Sequence, residues 1–120
     1  MRYGFIGLFG LLLCSTAAHA TDLSGDYAGS CDNNNTVQCW IRISERTKVE
    51  LTVADRLDFE KKRCVLSGTL LPTATGLKGE IGKGNRLALR DTPAGGIYMS
   101  RLPVSACKIA LNGFYGVIGD

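Results

Sequence analysis

The side chains with the most chemistry to offer are the cysteines. Cys31, Cys39, Cys64 and Cys107 follow an N-terminal stretch of secretory type, and an even number in a small exported chain reads as two disulfides. A zinc site needs paired Cys-x2-Cys or Cys/His spacing. The chain after Ala20 has neither, and its one histidine, His19, lies before that point, so no metal and no other cofactor is expected. Three connectivities are open. The preferred one joins Cys31 to Cys39, closing the Asp32-Asn33-Asn34-Asn35 loop between two strands, and Cys64 to Cys107, joining the central hairpin to the last strand. Closing those loops stabilises by about 2.5 and about 4 kcal/mol respectively in the chain-entropy picture.

Catalysis has little to work with. Without a histidine after Ala20 the chain lacks the usual general base for a Ser or Cys nucleophile, and oxidised cysteines supply no thiolate. Asp55, Asp58 and Glu60 lie close together, but among Arg56, Lys61, Lys62 and Arg63 they read as a solvated mixed-charge loop rather than an acid/base pair. No phosphate loop, dinucleotide fingerprint or calcium loop is present, and the expectation is a protein that is not an enzyme.

Binding is better served. Trp40 stands between Gln38 and Arg42 on the polar side of an alternating segment, and exposed Trp and Arg are enriched where interfaces concentrate their energy. The plainer reading is that Trp40 is covered by a loop or a neighbouring strand. Lys61-Lys62-Arg63 suits an acidic partner or an anionic polysaccharide, against the plainer reading of a solvated strand entrance. Asn34-Asn35-Thr36 is a glycosylation acceptor triplet, of consequence only in a source that glycosylates exported proteins.

The elements that must position these residues are strands. Val37, Cys39, Ile41 and Ile43 alternate with Gln38, Trp40, Arg42 and Ser44, and after Glu45-Arg46 the alternation repeats with Val49, Leu51 and Val53 inward and Lys48, Glu50 and Thr52 outward. Asp55 to Arg63 breaks the pattern and reads as a loop or one helical turn, anchored by Leu57 and Phe59. Cys64 to Ile81 reads as a hairpin turning at Pro72 to Gly76, with Cys64, Leu66, Gly68 and Leu70 facing the way of Leu77, Gly79 and Ile81. Strands are also expected over 86–90, 97–102 and 105–111, with Cys107, Ile109 and Leu111 on one face, and the Phe114 to Ile118 tail should be docked. A Leu-x-Gly-x-apolar pattern recurs at Leu23, Leu66, Leu77 and Leu111, and mid-strand glycines of this kind mark bends or close approaches. The fold class is all-β: an antiparallel meander of about eight strands forming a closed or nearly closed barrel or two-sheet sandwich, with first strand against last.

Residues 1–20 stand apart. Met1-Arg2-Tyr3, the apolar Gly4 to Cys14 and Ala18-His19-Ala20 are the three regions of a secretory signal peptide, with cleavage expected before Thr21. Leu13 is too large to precede a lipidated Cys14. The apolar core is too short to span a bilayer and no longer one follows, so residues 21–120 are expected to form a single exported domain, periplasmic or secreted, with no transmembrane segment. Arg2 leaves with the leader, so fourteen basic residues become thirteen against eleven acidic. The resulting +2 argues against nucleic acid as a partner.

Including Ser24-Gly25-Asp26-Tyr27, no motif names a family; in size and class the chain is similar to small disulfide-bonded barrels of bacterial envelopes, lysozyme inhibitors among them. The leading expectation is a binding module with a protein or glycan partner, an inhibitor being one form of it. The alternative is an envelope assembly protein acting through its C-terminal strand.

Overall fold

A computed structural model describes residues 21–29, 31 and 36–118. The leader, the Asp32–Asn35 loop and the asparagines of the glycosylation triplet lie outside the described residues. The chain is all-β, with strands β1 (Gly25–Gly29), β2 (Val37–Ser44), β3 (Lys48–Asp55), β4 (Asp58–Thr69), β5 (Leu71–Pro72), β6 (Gly76–Ile81), β7 (Asn85–Asp91), β8 (Ile97–Ser100) and β9 (Gly113–Val117). They form one antiparallel sheet in the order β4-β3-β2-β1-β9-β8-β7-β6-β5, curled into a half-barrel.

The alternation places the core as the sequence requires. Val37, Cys39, Ile41, Ile43, Val49, Leu51 and Val53 are buried on the concave side with Leu77, Ile81, Leu87, Leu89, Ile97 and Met99 from the other half of the sheet. Such a half-barrel stays folded because each half buries the other's apolar face. Thr52 departs from expectation. Its outward side chain is only 2% exposed because it lies in one cross-strand row between Trp40 and Val65, whose larger side chains shield it.

First strand does meet last: Tyr27 pairs with Val117 and Gly29 with Tyr115. Each of these strands begins with the same corner. The Tyr27 hydroxyl donates to the Leu23 carbonyl, and the Tyr115 hydroxyl to that of Leu111, both at 2.6 Å. Gly25 and Gly113 take φ of 150° and 143° to turn the chain between Leu and Tyr, a backbone region that side chains disfavour. The Leu-x-Gly-x-Tyr pattern is therefore a tyrosine corner used twice, on the two adjacent strands at the centre of the sheet, and because those strands are antiparallel the corners lie at opposite ends of the pair.

That pairing does not remove the sheet's edges, which fall at β4 and β5. The central hairpin is corrected accordingly. β4 pairs with β3 along its length, and only Leu71–Pro72 pairs with β6 across the Thr73–Thr75 turn. The expected facing pattern survives because β4 and β6 meet edge to edge near Gly68, where the Gly82 amide donates to the Ser67 carbonyl at 2.9 Å. A Cβ on Gly68 would stand 2.5 Å from the Glu80 carbonyl oxygen, so this contact admits only glycine.

Two further expectations are overturned. Residues 58–63 are strand, not loop or helical turn, because a register irregularity around Ala54 lets them continue β4; Leu57 at the turn is 97% exposed and Phe59 is exposed too, so neither is an anchor. Residues 105–111 are not a strand. After Pro103 the chain makes a short 3-10 turn, Val104–Ala106, and Lys108 has φ 69°. The Asn112 side chain clasps Leu102, accepting from its amide at 3.1 Å and donating to its carbonyl at 3.0 Å. The resulting loop packs Leu102, Ala106, Cys107, Ile109 and Leu111 on the core. Both disulfides form as expected, Cys31–Cys39 and Cys64–Cys107, with Cα atoms 6.2 and 5.7 Å apart. The second fastens the loop to β4 across the half-barrel.

Candidate functional site

Period-two geometry turns Gln38, Trp40 and Arg42 of β2 to the convex face, and cross-strand register sets Trp40 beside Ala28 and Arg42 beside Asp26. Phe59 reaches the same place from β4. Its ring meets Trp40 edge to face, with centroids 6.3 Å apart. Together with Asp26, Ala28, Gly29, Cys39 and Ile118 these residues line a hollow of about 610 Å³. Trp40 is half-buried, in line with partial cover, whereas Phe59 keeps 64% of its surface and Ile118 47%.

The polar rim is already organised. Arg42 donates through Nε to Asp26 Oδ1 at 2.8 Å, and this hydrogen bond, Asp26's charge and Glu50's charge hold the guanidinium above its ordinary pKa. It stays a cation with most of its donors available. Gln38 is spent on the fold: its Nε2 donates to the Asp55 and Arg56 carbonyls at 3.2 and 3.1 Å, fixing the β3–β4 turn.

The basic run does not join this site as a patch. Arg63 Nε and Lys61 Nζ both bind the Asp55 carboxylate, and Lys62 lies on the exposed edge strand. Charged side chains along an exposed edge discourage pairing with another sheet. Asp55, engaged by two cations, is not one of a free carboxylate pair. Sequence reasoning thus placed Trp40, Arg42 and Gln38 together, and missed Phe59 and Ile118. The signal for Phe59 was present in Phe59-Glu60-Lys61-Lys62-Arg63-Cys64, but its charges masked a strand. With the four cysteines consumed in disulfides, thiolate ligation and thiolate attack are closed to this site.

The class defined is a small, disulfide-stabilised, antiparallel half-barrel with an aromatic-walled hollow on its convex face. Compared with protein families, curated proteins and solved structures, the chain matches none. Among the described residues no helix is long and apolar enough to cross a membrane.

Proposed function

We propose that the chain is an exported, non-enzymatic binding module, an inhibitor being one form of it, that engages a protein through the Trp40 hollow. The observation that carries this reading is the Trp40–Phe59 pair: an edge-to-face aromatic contact, half-buried at Trp40 and exposed at Phe59, beside a hollow with an ion-paired Arg42 on its rim. Aromatic anchors with a nearby Arg are the usual makings of an interface hot spot. Export is supported by the leader sequence and by two disulfides, which persist in oxidising compartments. The assembly alternative finds no support at β9, whose two edges are taken by β1 and β8.

The test is capture from the exported fraction on oxidised protein beginning at Thr21, beside Trp40→Ala and Phe59→Ser. A protein held by the wild type and released by both variants, each with a cooperative melt, is the expected result. Equal retention by all three proteins would remove the hollow from the reading.

A further inference from the structure

The other half of the convex face carries a different surface. Lys78 of β6, Arg86 and Arg90 of β7 and Arg101 beyond β8 line one hollow of about 620 Å³, with Thr73, Thr75 and Ser100 contributing hydroxyls. Among the described residues none of these four cations is in an ion pair. Arg90 lies over the Tyr98 ring, 4.9 Å from its centroid. Two carboxylates stand near. Glu80 faces Arg86 in register but accepts from the Gly84 amide at 3.0 Å, and Asp91 follows Arg90 at the rim of a neighbouring hollow.

We propose that this surface is a second binding site, for an acidic glycan chain. It is independent of the Trp40 hollow and does not rest on the function proposed there. The spacing decides the ligand's size. Arg86 and Arg90 are four residues apart on one strand face, about 13 Å, and Lys78 sits one strand away, opposite Ala88 between them. That is too wide for one phosphate and suits a chain with acidic groups on successive units, each held by a guanidinium or ammonium. The hydroxyls and the concave lining favour a sugar. A protein interface wants an exposed apolar anchor in the hollow, and the leucines that line it, Leu77, Leu87 and Leu89, are buried. Base stacking wants a ring in the hollow, and none of the residues that line it is aromatic.

The test uses the oxidised protein beginning at Thr21 with dextran sulfate and polygalacturonate as probes, and neutral dextran, anionic phosphatidylglycerol vesicles and poly-glutamate as comparisons. Binding to either acidic polysaccharide is expected to fall with salt and to weaken about tenfold or more in Lys78→Gln/Arg86→Gln. Arg46→Gln/Lys48→Gln removes the same charge from the other half and should leave binding near wild type. Equal weakening by the two double variants would overturn the site, as net charge alone would then account for retention. Binding to vesicles or poly-glutamate with no affinity for either polysaccharide would overturn the glycan, and no binding to any anion would overturn both. Melts of both variants check that each remains folded.

Discussion

The two halves of the sheet share a corner motif and a core but differ on their convex faces. In the first half, β1 to β4, five cations are ion-paired: Arg42 with Asp26, Arg46 with Asp22, Lys48 with Glu45, and Lys61 and Arg63 with Asp55. In the second half, from Leu71 onward, six basic residues stand against three acidic ones, and four of the cations gather without a carboxylate partner among the described residues. The small net charge of the whole chain hides this, because the surplus sits in one half. A domain's total charge describes its solubility, whereas a site is set by where charges go unmatched.

The largest effect tests how the halves are joined. Cys64–Cys107 links the first half to the loop between β8 and β9, while Cys31–Cys39 lies within the first. Replacing the first pair by serine should cost about 4 kcal/mol in denaturant melts and the second about 2.5 kcal/mol. The reverse order would mean that the halves cohere without their crosslink.

Next comes the aromatic residue on each face. Trp40→Ala should cost about 2 kcal/mol, between the loss for a fully buried aromatic and that for a surface residue, because Trp40 is half-buried beneath Phe59. Tyr98→Ala in the other half should cost less, as Tyr98 is 39% exposed. Melting both variants checks the ranking.

The corners should behave alike. Tyr115→Phe leaves the Leu111 carbonyl without its donor and should cost about 1.5 kcal/mol, with Tyr27→Phe similar or smaller. Burial pushes both phenols up, and Asp91 and Asp22 add to the effect at Tyr27. Because the folded pKa is raised, this contribution is complete below the unfolded value of about 10 and is lost as pH rises beyond it. Phenolate absorbance from these two tyrosines should therefore appear together with alkaline unfolding. Ionisation of both in a protein that keeps its fold would contradict the buried corners.

The smallest effect separates the charges. Arg42→Gln should cost up to about 1 kcal/mol and less in high salt, as for an exposed pair. Arg86→Gln should leave stability unchanged or raise it, since it relieves unmatched positive charge. A matching loss at both positions would erase the contrast between the faces.

Much of this was legible in the residues. Clean alternation from Val37 to Val53 gave both faces of β2 and β3, and hence the placement of Trp40 and Arg42. The even cysteine count gave two disulfides and the preferred pairing formed, although Cys107 reaches Cys64 from a loop and not from the strand expected there. Asp55 to Arg63 was illegible because an edge strand bearing charges on both faces carries no period-two hydrophobic signal. Residues 105–111 misled for the opposite reason: Cys107, Ile109 and Leu111 alternate, but a loop packed on a core also needs apolar residues, and periodicity does not report the left-handed turn at Lys108. Thr52 was missed because its burial comes from the neighbouring strands. The cation cluster was missed because Lys78, Arg86, Arg90 and Arg101 are scattered in sequence and become neighbours only through the register of three strands.

The twin corners also govern time. β1 and β9 lie at opposite ends of the domain yet pair at the centre of the sheet. A chain emerging N-terminus first can form the β2–β3–β4 and β6–β7–β8 meanders from local contacts, but β1 keeps one edge open until β9 arrives. Sheets completed by such distant pairings fold slowly, over milliseconds to seconds. For that interval the two half-sheets are joined only at their far edge, where β4 meets β6 at Gly68, and the seam at the centre of the sheet stays open until β9 pairs with β1.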